Sequence, residues 1–107
     1  MSDSQANGGT HTGREYQLRL YVAGQSPRSI AAVSNLRSIC SRHLDGRCTI
    51  EVVDLLEHPH LARRDEILAI PTLVRQLPPP FRKIIGDLSN VDRVLVGLDI
   101  IALVETR

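Results

Sequence analysis

The chain contains no tryptophan, and its only aromatic residues are Tyr16, Tyr21 and Phe81, 3% of 107 residues. A core must therefore rest on Leu, Ile and Val, and the stacking platforms that single-stranded nucleic acid needs are missing. An excess of either charge is missing as well: 13 basic and 12 acidic residues leave a formal net charge of +1. That balance excludes a general electrostatic pull toward nucleic acid or an anionic membrane. The basic pairs Arg63-Arg64 and Arg82-Lys83, with Arg75 between them, form no continuous stripe and read as solvated surface or protein contacts. No apolar run approaches the ~18 residues of a membrane span, and no signal-peptide core opens the chain. A soluble, cytoplasmic protein without nucleic-acid or membrane partners is expected.

Cysteine is scarce. Cys40 and Cys48 could bridge in principle, but nothing else points to secretion, and both are expected to be small buried apolar residues. No Cys-x-x-Cys occurs. His58-Pro59-His60 lacks a third ligand at useful spacing and reads as the start of a helix, while His11 lies in a polar segment. Asp54, Glu57, Asp65 and Glu66 fit a strand end and a solvated helix face. Gly8-Gly9 is no phosphate-cradling loop. No metal, cofactor or catalytic group is expected.

What remains is enough for one domain near the lower end of independent folding, at 42% hydrophobic content. Residues 1–14 are almost free of apolar side chains and are expected to form a flexible tail, with a single domain over residues 15–107. Tyr16 to Val22 alternates as a strand does, with Tyr16, Leu18, Leu20 and Val22 on one face. Gly24 ends it. Ser26 can cap a helix that Pro27 begins, and Ile30, Val33, Leu36, Cys40 and Leu44 recur at helical spacing. Asp45-Gly46 turns the chain into a second strand, Cys48 to Leu55. Strand, helix and strand so close together predict a parallel pair joined by a right-handed crossover.

Pro59 to Ala69 reads as a shorter helix with Leu61, Ile67 and Leu68 inward. The stretch from Ile70 to Ser89, which holds four of the six prolines, organises the rest. Pro71 stands directly before a strand, where thioredoxin-like folds place a cis proline, and a cis bond there would interconvert slowly. Thr72 to Leu77 is a strand stopped by Pro78, Pro79 and Pro80, which lack the N–H a ladder requires. Phe81 to Ile85 is a second strand, closed by a turn at Gly86-Asp87. Ser89 or Asn90 caps a final helix whose face is Val91, Val94, Leu95, Leu98, Ile101 and Ala102. The predicted class is α/β, thioredoxin-like, in the order βαβ–αββα.

Residues 91–104 can be read two ways. They are rich in β-branched side chains, and Gly97 in their middle weakens a helix by about 0.5–1 kcal/mol relative to Ala. Val94, Val96, Leu98 and Ile100 also alternate as a strand would. Two packings of the C-terminal half, separated by only a few kcal/mol, are compatible with this sequence.

PTLVRQLPPPFRKIIGDLS, followed by NVDRVLVGLDII, resembles the signature of the KaiB family of fold-switching circadian-clock proteins. Leu20-Tyr21-Val22-Ala23-Gly24, Ser26-Pro27 and Asp65-Glu66-Ile67-Leu68-Ala69 also fit, so the resemblance spans residues 16–104. It implies a ground-state fold, βαββααβ, in a homo-oligomer (tetramer or dimer), and a rarer thioredoxin-like monomer. Pro71, Pro78, Pro79, Pro80 and the Gly86-Asp87 turn then lie in the segment that refolds, and Gly97 and Asp99 in the marginal terminal element. The resemblance implies no enzymatic activity. It implies binding to the N-terminal ring of a hexameric KaiC-like ATPase through Arg75 and Lys83, with a KaiA-like protein or a sensor histidine kinase as further partners. Glu51 and Glu66 depart from the lysines common at their positions.

A stress-signalling relative and a sensory thioredoxin-like module remain as alternatives. A glutathione or thiol redox enzyme stays as a less favoured alternative, and a dithiol oxidoreductase is excluded, because Ala23-Gly24-Gln25-Ser26-Pro27 puts no thiol at the start of the first helix.

Overall fold

The computed structural model describes residues 15–99. The elements run β1 (Tyr16–Val22), α1 (Pro27–His43), β2 (Cys48–Asp54), α2 (His60–Arg64), β3 (Thr72–Leu77), β4 (Arg82–Ile85) and α3 (Val91–Gly97). The four strands form one sheet in the order β2-β1-β3-β4. β1 pairs parallel with β2, antiparallel with β3, and β3 pairs antiparallel with β4. This is the predicted thioredoxin-like arrangement.

The two periods of the sequence decide which side chains meet. Tyr16, Leu18, Leu20 and Val22 point to one face of the sheet and pack with Leu36 and Ile39 of α1 and Val94 and Leu95 of α3. The residues between them face the other way, where Tyr21, Val53 and Val74 meet Leu55 and Ile67, with Leu61 and Ala62 of α2 against them. Each fully buried leucine in the larger core contributes about 1.5–3 kcal/mol relative to exposure.

Ser26 caps α1 by accepting from Ser29 N, with Pro27 in the first turn. Leu36, Cys40 and Leu44 of the predicted stripe are buried and Val33 packs against the same core, but Ile30 departs from it. Ile30 is 53% exposed, and the inward residues are Ser29, Ala32, Leu36, Ile39 and Cys40. Ser29 can sit inside because Ala23 N–H and Ser26 Oγ both bond its hydroxyl.

α2 ends at Arg64, well before Ala69. Glu66 adopts a left-handed conformation (φ 57°), which breaks the helix and sends Ile67 inward and Leu68 out to 94% exposure. β3 stops at the prolines as predicted, and β4 starts one residue after Phe81. The Ile70–Pro71 peptide is cis, as are Leu77–Pro78 and Pro79–Pro80.

Asn90, not Ser89, caps α3, accepting from Arg93 N. The last helix stops at Gly97 rather than continuing through Leu98 and Asp99, where Asp99 is left-handed (φ 60°). Ile101 and Ala102, expected on its face, lie outside the described residues, as does the predicted tail.

The cysteines also correct the expectation. They are joined as a disulfide, Cα to Cα 6.4 Å, because the Asp45-Gly46 turn brings the end of α1 beside the start of β2.

Candidate functional site

The α1 N-terminus is where a thioredoxin-like fold would hold a redox dithiol. Here it is occupied by backbone and capping groups. Gly24 has φ +59°, and a Cβ there would lie 2.8 Å from Leu56 Cδ1, so both the turn and the packing call for glycine. Asp54 Oδ1 accepts from Gly24 N and from Leu56 N, each at 2.9 Å. The hydroxyls of Ser26 and Ser29 bond each other at 2.8 Å.

Some of the residues that the sequence marks out, Arg75, Pro80, Gly97 and Asp99, gather instead around the end of α3. Arg75, expected on the surface, is 2% exposed. Its position on β3 sends the side chain to the α3 face, where one Nη donates to Leu98 O and the other to Pro80 O at 2.9 Å. One guanidinium thus ties the helix terminus to the triple proline. Asp99 lies 4.0 Å from Arg75 and 2.9 Å from Arg82, so its carboxylate joins two arginines. Arg75 Nε has no hydrogen-bond partner among the described residues. Gly97 lies against β4: a Cβ there would meet Ile84 Cδ1 at 2.8 Å. Gly97, Asp99, Pro80 and Arg75 therefore form one packed junction.

Pro71 and the Gly86-Asp87 turn sit at the other end of β3 and β4, joined by Gly86 N to Pro71 O at 2.9 Å. Asp87 O accepts from Asn35 Nδ2 at 2.8 Å, which fixes the turn to α1. Its carboxylate accepts from Ser89 N, and hydrogen bonding to Ser89 holds its pKa below the usual carboxylate value.

Lys83 lies on the opposite face of the sheet and is exposed. Its Nζ donates to Asp65 O and Glu66 O at 3.3 and 2.9 Å, closing the carbonyls left open where α2 ends. Beside it runs a charged network. Tyr21 donates to Asp65 Oδ2 at 2.6 Å, and Arg19 bonds Glu51 at 2.9 Å and lies 3.6 Å from Asp65. Hydrogen bonds from Arg64 and Tyr21 hold the Asp65 carboxyl below its ordinary pKa. Burial raises the Tyr21 phenol, and the hydrogen bond to Tyr21 raises Arg19 further. Arg19, Tyr21, Asp65 and Lys83 line, with Gln76 and Phe81, an open cleft of about 420 Å³. Among the described residues, α2 covers only one end of this face, leaving Gln17, Thr49 and Glu51 exposed.

The KaiB domain model matches residues 19–100. This chain belongs to the KaiB family. The "Circadian clock oscillator protein KaiB" of Nostoc punctiforme is 50% identical over 88 residues, 82% of this chain and 85% of that protein. The protein of the same name from Thermosynechococcus vestitus is 49% identical over 82% of both chains. Such relatives make this KaiB a clock regulator. Two solved structures share its fold at low identity. Chloroplastic thioredoxin z has a TM-score of 0.66 at 20% identity, covering 82% of this chain and 80% of its own. The N-terminal domain of Synechococcus elongatus SasA has a TM-score of 0.64 at 18% identity, with coverage of 82% and 87%.

Within this KaiB fold, sequence reasoning placed Arg82 and Lys83 together at the surface, read Asp65 as part of a solvated helix face, and gave Arg19 and Tyr21 no role. Arg19 and Tyr21 did carry a signal: they alternate out of phase with the apolar residues of β1, which puts them on the face that α2 leaves half open.

Proposed function

We propose that this KaiB-family chain is a non-enzymatic regulator that binds the N-terminal ATPase ring of a KaiC-like hexamer and modulates its phosphorylation cycle. The observation that carries this reading is the half-covered, charged sheet face of a thioredoxin-like KaiB, with Lys83, Arg19 and Phe81 along one cleft. A surface of mixed charge around an exposed aromatic suits a protein partner, with electrostatics setting orientation and on-rate.

In this reading Lys83 contacts the ATPase directly, while Arg75 acts from inside by holding the end of α3. The binding form exchanges with an oligomeric ground state of order βαββααβ, in which the segment from Pro71 through Pro78, Pro79 and Pro80 to Gly86, Asp87, Gly97 and Asp99 rearranges. Apparent affinity then falls by the fraction of chains in the thioredoxin-like form. A KaiA-like protein and a sensor histidine kinase complete the set of partners, the kinase competing through a sensory domain of the same fold.

Binding of a fluorescently labelled chain to a purified KaiC-like hexamer tests this. The expected result is saturable binding with a slow phase whose rate becomes independent of hexamer concentration, and about tenfold weaker affinity for Lys83→Glu. Fast single-phase association at every concentration would reject the exchange, and the absence of binding would reject the partner.

A further inference from the structure

We infer that Cys40 and Cys48 are a reversible dithiol–disulfide pair that staples the end of α1 to the start of β2 when the chain meets a low-molecular-weight disulfide. Backbone hydrogen bonds around the intervening turn hold the two residues beside each other. Leu44 N and Gly46 N both donate to Cys40 O at 3.1 Å, Asp45 and Gly46 are left-handed, and Arg47 N donates to Leu44 O at 2.8 Å. Cys48 then enters the sheet opposite Tyr16, whose N–H bonds Arg47 O at 3.0 Å. The Cα separation of 6.4 Å lies within the span of a disulfide.

The pair is also reachable. Cys40 is 4% exposed, but Cys48 is half-buried and borders an open cleft of about 530 Å³ shared with Arg37, Ser41, Asp45 and Ile50. Cys48 is therefore the sulfur that exchanges with an outside molecule. In the forward direction the Cys48 thiolate attacks a disulfide such as glutathione disulfide, displacing one thiolate and forming a mixed disulfide. The Cys40 thiolate then attacks Cys48 Sγ and displaces the second. Two protein thiols are oxidised, one small disulfide is reduced to two thiols, and two protons pass to the departing thiolates.

This pair is not a displaced thioredoxin dithiol. It sits at the far end of α1 from Ser26, and what it controls is local order. β2 is an edge strand, paired on one side with β1 alone among the described strands, so its first residues depend on the Tyr16 pairing and on the staple.

The full chain, reduced and then equilibrated in glutathione redox buffers, tests the inference by intact mass and amide hydrogen exchange. The expected product is a chain free of intermolecular disulfides and lighter by about 2 Da, the two hydrogens lost, and reversible with dithiothreitol. Amides from Leu44 to Ile50 should exchange about tenfold more slowly in that form, with the rest of the sheet unchanged. Cys40→Ser should stop as a Cys48–glutathione mixed disulfide, whereas Cys48→Ser should react much more slowly. Double glutathionylation of the parent, chain-to-chain disulfides, or closure without local protection would each overturn it.

Discussion

Arg75→Met tests the junction at the end of α3. The substitution keeps an unbranched apolar stem and removes the guanidinium. Leu98 O and Pro80 O lose their donor, while Asp99 keeps Arg82 at 2.9 Å, so the damage falls on the two carbonyls. A hydrogen bond from a charged donor contributes about 1.5–3 kcal/mol, and stranding a buried polar partner costs a similar amount. Part of this is offset, because a cation that is 2% exposed no longer has to be desolvated. The balance is a loss of about 3 kcal/mol. For a domain of this size that lowers Tm by about 10–20 °C. Calorimetry of parent and variant measures it. Hydrogen exchange adds a local test, since Val94 and Leu98 amides should lose protection while Leu20 and Val22 in β1 keep theirs. Arg75→Lys should recover no more than about half, because one ammonium cannot reach both carbonyls with the fork geometry of arginine. A Tm within about 2 °C of the parent for Arg75→Met would refute the reasoning.

Other outcomes follow from the same geometry. Gly97→Ala gains about 0.5–1 kcal/mol of helix propensity but drives a Cβ to 2.8 Å from Ile84 Cδ1, so alone it should be close to neutral. Ile84→Val removes that atom, and in its background Gly97→Ala should stabilise; equal effects in both backgrounds, measured by urea unfolding, would sink the contact. Asp65 has a depressed folded pKa, so its contribution is fully present above the ordinary carboxylate value of about 4 and is lost as pH falls through the lower folded value. Asp65→Asn should therefore lose about 1 kcal/mol near pH 6 and flatten the acid limb of the stability profile, as followed by circular dichroism between about pH 2 and 6. Tyr21 works in the opposite sense. Its raised folded pKa means stability falls as pH rises past the free phenol value of about 10, and Tyr21→Phe should remove that alkaline loss.

Much of this fold was legible from local chemistry alone. β1 follows from the alternation of Tyr16, Leu18, Leu20 and Val22. The start of α1 follows from Ser26-Pro27, and the break between β3 and β4 from three residues that cannot donate to a ladder. The missing thiol at the start of α1 was legible as well, and so was the KaiB signature from Pro71 to Ser89. These features depend on residues close in sequence, so the chain carries them without a partner. What the sequence could not decide involves distant groups. Ile30 faces outward because Ser29 finds two hydrogen-bond partners and takes the inward place. α2 ends early because Glu66 turns left-handed and Lys83, from β4, bonds the carbonyls it leaves open. Arg75 shows the difference most clearly. A lone arginine in a strand reads as surface, and only the meeting of β3, Pro80 and the end of α3 supplies the carbonyls that let a cation stay buried. Local propensity determined where elements begin and end, while burial of a charge depended on partners that only the tertiary structure brings within reach.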